Sequence, residues 1–338
     1  MSETRAPVSY NLHDVVRVRT NVRIVPEFPG YLRVDAVDPD LEVVRAEGLS
    51  RPDPETVRAG IGSPSTCDLG DGRVFYEFPM PLLHYLGVSE NWKFYVEGLT
   101  KPQTKITTAF PSFNPKPVAA RATELLSRIT YFVLGMKLWE KGHALCHASA
   151  LAKGDDAYLF FGYIGSGKTT VSRALMGSVC DSYLSDDTSL VDRQGNILCW
   201  PEAHAAHGEG GGMPLLRYVK RRSHVTFLPD FPIRRRARAR GIYFLERGRD
   251  EIKEIDLDEA ARRTTLINLD EMSRYWNSPA SQMVNQYAYF YPELDLGRLS
   301  ETYASIVAGF VGKAEKAYVL RTSAPTYESL RRLIAGSA

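Results

Sequence analysis

Residues 157–175 read Ala157-Tyr-Leu-Phe-Phe-Gly162-Tyr-Ile-Gly165-Ser-Gly167-Lys168-Thr169-Thr170-Val-Ser-Arg-Ala-Leu175. The stretch joins an apolar run, a glycine-rich loop and an amphipathic segment, which is the order strand, loop, helix. Gly162, Gly167, Lys168 and Thr169 match the phosphate-loop pattern G-x-x-x-x-G-K-[ST]. An ordinary glycine-rich turn is the alternative, but the flanking runs favour a phosphate-binding loop.

The residue types in this loop suit the phosphates of a nucleoside triphosphate. Glycines let successive backbone N–H groups point into one concavity, and the start of the helix adds unpaired N–H groups. Lys168 would contact the β- and γ-phosphates, and the Thr169 hydroxyl would bind Mg²⁺. We therefore expect ATP and Mg²⁺ as cofactors. The expected nucleotide contacts are Gly162, Tyr163, Ile164, Gly165, Ser166, Gly167, Lys168, Thr169 and Thr170.

The composition narrows the class of protein. The 338 residues are enough for two domains, and the formal net charge of +2 implies no general attraction to polyanions. The cysteines lack metal-site and disulfide-framework spacing, which predicts reduced thiols. The sequence shows neither a signal-peptide pattern nor an apolar run of about 20 residues. We expect a cytoplasmic protein without a membrane partner. The cysteines are Cys67, Cys146, Cys180 and Cys199.

Two domains are predicted, 1–115 and 116–338. The first contains short β-branched and aromatic runs bounded by Pro, Gly, Asp or Asn, which is typical of strands and turns. We expect a β-rich domain that either recognises a substrate or caps the second domain. Its predicted strands are Tyr31–Val37, Leu41–Arg45, Arg73–Phe78, Trp92–Glu97 and Lys105–Phe110.

The second domain mixes helices with strands. An apolar stripe between Ala122 and Met136 predicts a long helix over about 118–142. Further predicted strands are Ala144–Leu151, Tyr158–Phe161, Ser182–Asp187, Gly241–Glu246, Glu251–Leu257 and Ala317–Arg321, with a hairpin over Ser189–Trp200. Further predicted helices, besides the one after the loop, are 258–268, 269–276, 298–311 and 326–336.

Two carboxylates and a histidine complete the predicted site. Asp186 and Asp187 end a short apolar strand, eighteen and nineteen residues after Lys168. A carboxylate there can hold Mg²⁺ or take a proton from an acceptor hydroxyl. His147 is predicted on the strand before the loop strand. A core histidine and a solvated turn are the ordinary alternatives, but the position beside the loop favours roles in the site.

This order of features resembles that of HPr kinase/phosphorylase and its relatives, which have the phosphoenolpyruvate-carboxykinase-like P-loop fold. His147, the loop from Gly162 to Thr169, and Asp186-Asp187 carry the resemblance. The stretch Gly241–Gly248 is similar to a later strand of these relatives. The resemblance covers about 143–248. It implies an α/β P-loop kinase domain of this type, preceded by the β-rich N-terminal domain, and relatives are often homo-oligomers.

The resemblance also implies roles. Asp186 would be the general base for the acceptor hydroxyl, tuned or oriented by His147, and Asp187 would hold Mg²⁺ with Thr169 or pair with an arginine. A further metal-binding glutamate is implied in a glycine-containing segment downstream, where Glu209 fits best.

Several features qualify that match. Glu202 is the second choice for the downstream glutamate. His204 and His207 suggest zinc less than a mobile loop, because no third ligand is evident. Thr170 stands where HPr kinases have Glu, and their Leu-Glu-x-Arg-Gly segment is reduced to His207-Gly-Glu209-Gly-Gly. These departures indicate a relative rather than HPr kinase itself, and phosphorylase activity is not carried over.

A basic stretch runs from Arg217 to Arg240. Its last arginines alternate with other residues, which on a strand puts them on one face. That face suits ATP phosphates, an anionic acceptor or an acidic leader peptide, and Arg236 and Arg238 are candidates for neutralising the transferring group. A charged edge strand is the alternative. Nucleic acid is disfavoured because no aromatic residues are interleaved.

Three functions are compatible with these features. The first is Mg²⁺-dependent transfer of the γ-phosphoryl of ATP to a hydroxyl, foremost a serine in a protein or precursor peptide. The second is a small-molecule hydroxyl kinase. The third is a nucleotide-sensing regulator, which the intact Lys168 and aspartate pair disfavour. A carboxykinase is disfavoured because no set of metal-binding Lys and His is evident.

Overall fold

The computed structural model describes residues 6–24, 28–62, 65–79, 91–110, 116–163, 165–200, 204–205, 226–227, 232–276, 279–322 and 328–336. Over these residues the chain is a mixed α/β protein with two large mixed sheets, which confirms the predicted α/β class. The helices described are α1 (Lys116–Glu140), α2 (Lys168–Leu175), α3 (Leu257–Trp276), α4 (Pro279–Phe290), α5 (Leu296–Val311) and α6 (Glu328–Gly336). None of them is long and apolar enough to cross a membrane.

The chain divides into two compact units. The first comprises residues 1–142 and 269–304, and the second comprises 143–268 and 305–338. This division differs from the predicted boundary at 115/116. The long helix α1 packs against strands of the first unit and against α4, so that its apolar stripe is buried there.

The sheet of the first unit has the strand order β3-β1-β2-β4-β9-β8-β7-β6-β5. Strands β2, β4 and β9 are parallel neighbours, and the other neighbours are antiparallel. Burial alternates along β2, which gives this strand one core-facing side. The strands are β1 (Val8–Leu12), β2 (Val16–Thr20), β3 (Arg33–Val34), β4 (Leu41–Arg45), β5 (Ala59–Ile61), β6 (Thr66–Asp68), β7 (Arg73–Phe78), β8 (Trp92–Glu97) and β9 (Thr104–Ala109).

The sheet of the second unit has the order β10-β14-β15-β18-β12-β11-β13, with β20 pairing β18 and β19. Strands β12, β18 and β20 are parallel to one another. The strands are β10 (His143–Cys146), β11 (Ala148–Lys153), β12 (Asp156–Phe161), β13 (Ser182–Ser185), β14 (Ser189–Asp192), β15 (Asn196–Leu198), β18 (Arg236–Arg247), β19 (Glu251–Ile255) and β20 (Lys316–Thr322). A separate two-strand pairing joins β16 (His204–Ala205) to β17 (Thr226–Phe227).

One face of this second sheet carries a core that supports the loop helix. Tyr243 of β18 stacks on Phe160 of β12 and on Tyr318 of β20, with ring centroids 5.4 and 5.5 Å apart. Val171 and Leu175 of α2 join the same cluster, as do buried residues of α6. Helix α2 therefore packs on the face of the sheet that the parallel strands β12, β18 and β20 form.

Most predicted elements are confirmed, and the exceptions have local causes. The predicted strand Tyr31–Val37 is a 3₁₀ turn at Gly30–Leu32 followed by the two-residue β3. The predicted strand Ala144–Leu151 is interrupted at His147, because its two halves pair with different neighbours. The predicted helices 258–268 and 269–276 form the single helix α3.

Candidate functional site

The glycine-rich loop connects β12 to α2, as predicted. Gly165 and Gly167 have φ values of 78° and 99°, which L side chains rarely adopt. Gly162 is required for a different reason: a Cβ there would lie 2.4 Å from Ser166 Oγ and 3.1 Å from the Leu245 carbonyl oxygen. The helix begins at Lys168, directly after the Gly167 cap. The described backbone of the loop therefore favours glycine at each of these three positions.

Lys168 is held within the loop. The residue is only 6% exposed. Its Nζ donates a hydrogen bond to the Gly162 carbonyl oxygen at 2.8 Å and lies 2.8 Å from His147 Nε2. Because a lysine ammonium group only donates, Nε2 of His147 must accept this bond. The imidazole is then neutral, with its proton on Nδ1.

The other side of the His147 ring faces a carboxylate. Nδ1 lies 3.5 Å from Asp187 Oδ1, and the Asp187 side chain is 49% exposed. Asp186 is 5% exposed, and its backbone carbonyl accepts a hydrogen bond from the Ser149 hydroxyl. Lys168, His147 and Asp187 therefore form a continuous polar chain from the loop to the surface. His147 contacts Asp187, the carboxylate that the resemblance assigns to Mg²⁺.

Arg247 is a site residue that the sequence analysis did not identify. It is the last residue of β18, and its guanidinium donates a hydrogen bond to the Gly165 carbonyl oxygen at 3.0 Å. Arg247 lies within Gly241–Gly248, the stretch that resembles a later strand of the HPr kinase relatives. Its position beside the loop follows only from the pairing of β18 with β12. Neighbouring parallel strands end at the same edge of a sheet, and this brings Arg247 to the loop.

Glu246 anchors the carboxyl ends of two strands beside the loop. Its carboxylate accepts hydrogen bonds from Arg263 at 2.7 Å and from Arg321 at 2.8 Å. Burial by itself raises the pKa of Glu246. The two guanidinium groups together lower it by more, so that the pKa lies below its usual value. Glu246 therefore stays ionised and ties β18 to both α3 and β20.

Arg236 and Arg238 lie at the opposite end of the sheet from the loop. They are exposed while Ala237 and Ala239 are buried, which confirms the predicted alternation. Arg238 is in register with Asp156, the first residue of β12, whereas the loop follows the last. Five residues of strand separate these positions, which is roughly 17 Å. The structure therefore does not bring these arginines to the phosphate loop.

The neighbouring arginines of this stripe form ion pairs. Arg240 pairs with Asp156 and with Glu315, and Arg234 pairs with Asp155. The alternative of a charged edge strand is wrong, because the arginine segment of β18 lies between β15 and β12. These arginines therefore lie on a central strand of the sheet and do not protect an edge.

The remaining predicted residues have mixed outcomes. Thr169 is half-buried in the first turn of α2, Thr170 is exposed, and Tyr163 is 51% exposed. Ser166 Oγ is buried and has no hydrogen-bond partner among the described residues, so it fits a role as a donor to a phosphate. The predicted residues Ile164, Glu202, His207 and Glu209, and the basic residues from Arg217 to Arg222, lie outside the described residues.

Neither a metal cluster nor a disulfide is present where the structure describes the chain. No group of three or more His, Cys, Asp or Glu side chains that could hold a metal ion occurs in these ranges. All four cysteines lie among the described residues, and none of them forms a disulfide. Compared with known proteins, the chain matches no model of a protein family, and no curated protein matches it significantly.

Proposed function

We propose that this protein is an ATP- and Mg²⁺-dependent kinase that transfers the γ-phosphoryl group to a hydroxyl acceptor, foremost a serine of a protein or precursor peptide. One observation carries the proposal: His147 links the loop lysine to a half-exposed carboxylate. Its Nε2 lies 2.8 Å from Lys168 Nζ, and its Nδ1 lies 3.5 Å from Asp187 Oδ1. A protein that only senses a nucleotide needs the loop. It has no need of a carboxylate that is linked to the loop lysine through a histidine.

The phosphate half of the site is supplied by α2, the loop and β18. On binding ATP, Lys168 would exchange the Gly162 carbonyl for a phosphate oxygen, because a phosphate carries full negative charge, and would keep its hydrogen bond to His147, because an ammonium group has three N–H donors. The Ser166 hydroxyl, which has no hydrogen-bond partner among the described residues, and the guanidinium of Arg247 lie at the same loop. Electrostatic stabilisation by such donors is the main contribution that a protein makes to phosphoryl transfer.

The acceptor half of the site is supplied by the aspartate pair. We assign the base to Asp187, because its half-exposed side chain is accessible to an acceptor and because His147 Nδ1–H can orient it. The hydroxyl oxygen would bond to the γ-phosphorus, its proton would pass to Asp187, and ADP would leave. Thr169 and the buried Asp186 would hold Mg²⁺, which supplies positive charge against the phosphoryl oxygens. This division reverses the one that the resemblance implies.

The first test is transfer of labelled γ-phosphate from ATP into a cell extract that is then separated by size, with Lys168→Ala as the blank. We expect label in a protein or peptide band, and mass spectrometry then identifies the serine. Label confined to molecules below roughly 1 kDa would instead make the acceptor a metabolite. Nucleotide binding without any Lys168-dependent label would leave a regulator and would contradict the kinase proposal.

A further inference from the structure

His147 lies where the chain passes between two strand pairings. Before it, Cys146 of β10 pairs with Ser189 of β14, and after it, Ala148 of β11 pairs with Phe161 of β12. His147 itself belongs to neither strand. Its backbone N–H donates a hydrogen bond to Oδ1 of Asn268 at 2.6 Å. The position of the histidine backbone is therefore set by a side chain 121 residues away in the sequence.

Asn268 is held rigidly in α3. It is 3% exposed, and its Nδ2 donates to the Thr264 carbonyl oxygen one helical turn earlier at 2.7 Å. Both ends of the amide are therefore occupied. Turning the amide over would place its NH₂ group against the His147 N–H and its oxygen against the Thr264 carbonyl. Only one orientation satisfies both contacts, so the backbone of His147 has a fixed acceptor.

We propose that Asn268 is a positioning residue of the candidate site, which sets the place of the His147 ring between Lys168 and Asp187. The ring has only two torsions beyond the backbone, so that a shift of the backbone moves Nε2 and Nδ1 directly. The contacts at stake are the 2.8 Å hydrogen bond to Lys168 and the 3.5 Å approach to Asp187. Hydrogen bonds weaken steeply when their geometry changes by fractions of an ångström.

The same helix offers a matched control. Thr264 is fully buried, and its hydroxyl has no hydrogen-bond partner among the described residues. Thr264→Val perturbs the packing of α3 one turn from Asn268 but leaves the hydrogen bond to His147 in place. A purely structural effect of α3 should therefore appear in both variants. Loss of positioning should appear in the Asn268 variant alone.

The kinetic part of the proposal rests on the proposed function, but the spectroscopic part does not. The test uses the full chain with ¹⁵N-labelled histidine. The chain has seven histidines, and the ring signals of His147 are assigned by their loss in His147→Gln. We expect Asn268→Ala to move the Nδ1 and Nε2 signals of His147, whereas Thr264→Val leaves them unchanged. Phosphoryl transfer should fall by roughly 10- to 100-fold in kcat, with a much smaller change in ATP affinity.

Unchanged His147 signals in Asn268→Ala, or equal shifts in Thr264→Val, would overturn the proposal. Should Asn268→Ala fail to fold, Asn268→Ser serves in its place. Its hydroxyl can bind a carbonyl one turn earlier in the helix but is too short to reach His147. If no protein transfers phosphate, the wild type included, the kinase proposal is wrong. The histidine spectra would still decide whether Asn268 positions His147.

Discussion

The two ends of strand β18 carry similar residues and have different surroundings. At its amino end, Arg236 and Arg238 are exposed and lie at the opposite end of the sheet from the candidate site. At its carboxyl end, nine residues after Arg238, Arg247 donates to the carbonyl of Gly165 in the phosphate loop. The chemistry of the side chain is the same at both ends. The difference lies in what the neighbouring strand β12 places beside each end.

Strand polarity, and not the number of basic residues, decides which end of β18 lies at the glycine-rich loop. Because β12 and β18 are parallel, the loop that follows β12 can meet only the carboxyl end of β18. The amino end meets the turn at Asp155 and Asp156, which forms ion pairs with Arg234 and Arg240. The larger number of arginines therefore lies at the end of β18 that is remote from the glycine-rich loop.

The largest effect is expected from Lys168→Ala, compared with Lys153→Ala at the other end of the sheet. Loss of the loop lysine should abolish phosphoryl transfer and weaken ATP binding by about 100-fold, because a charge-assisted hydrogen bond to phosphate is removed. Lys153→Ala should bind ATP like the wild type. Isothermal titration calorimetry measures both. Similar affinities for the two variants would place the nucleotide elsewhere.

The next largest effect concerns the aspartate pair at the carboxyl end. Asp187→Asn should lower the rate of transfer by roughly 10²- to 10⁴-fold, as expected for loss of a general base, and should change ATP affinity little. Asp186→Asn should chiefly weaken Mg²⁺ binding, so that transfer requires a higher Mg²⁺ concentration. Single-turnover assays over a range of Mg²⁺ concentrations separate the two. The opposite pattern would restore Asp186 as the base, and full activity in both variants would remove the pair from the chemistry.

A direct test of the comparison removes one arginine from each end of β18 in separate variants. Arg247→Ala should reduce transfer by about 10-fold, because it removes a guanidinium beside the loop. Arg238→Ala should stay within about twofold of the wild type, since Arg238 is in register with Asp156, roughly 17 Å from the end of β12 where the loop begins. Steady-state kinetics with ATP measures both variants. A larger loss for Arg238→Ala would show that strand polarity is not what locates the site.

The smallest expected effect is on stability and pH. The pKa of Glu246 is lowered in the folded state, so its ion pairs stabilise the fold above the unfolded value of about 4.3, and this contribution is lost as the pH falls through the folded pKa. Glu246→Gln should therefore cost about 0.5 kcal/mol at pH 7 and nothing at pH 2. Urea unfolding at the two pH values gives the difference. A cost that is independent of pH would mean that packing, and not charge, is lost.

The sequence by itself determined the local parts of the site. The strand, the glycine-rich loop and the first turn of α2 lie within about twenty residues, and glycine positions, apolar runs and the lysine specify them without reference to the rest of the chain. The alternation of exposed arginines and buried alanines in β18 was equally predictable, because side chains alternate on any strand. Periodicity and turn chemistry are short-range properties.

Only the tertiary structure decided which of these parts meet. The order and direction of the strands placed Arg247 at the loop and Arg238 far from it, and the break between β10 and β11 turned His147 toward Lys168 and Asp187. Asn268, which holds that break, is an ordinary helix residue in the sequence. Strand pairing and the burial of polar groups depend on partners that are far apart in the sequence, such as His147 and Asn268 at 121 residues, and no local pattern encodes that choice.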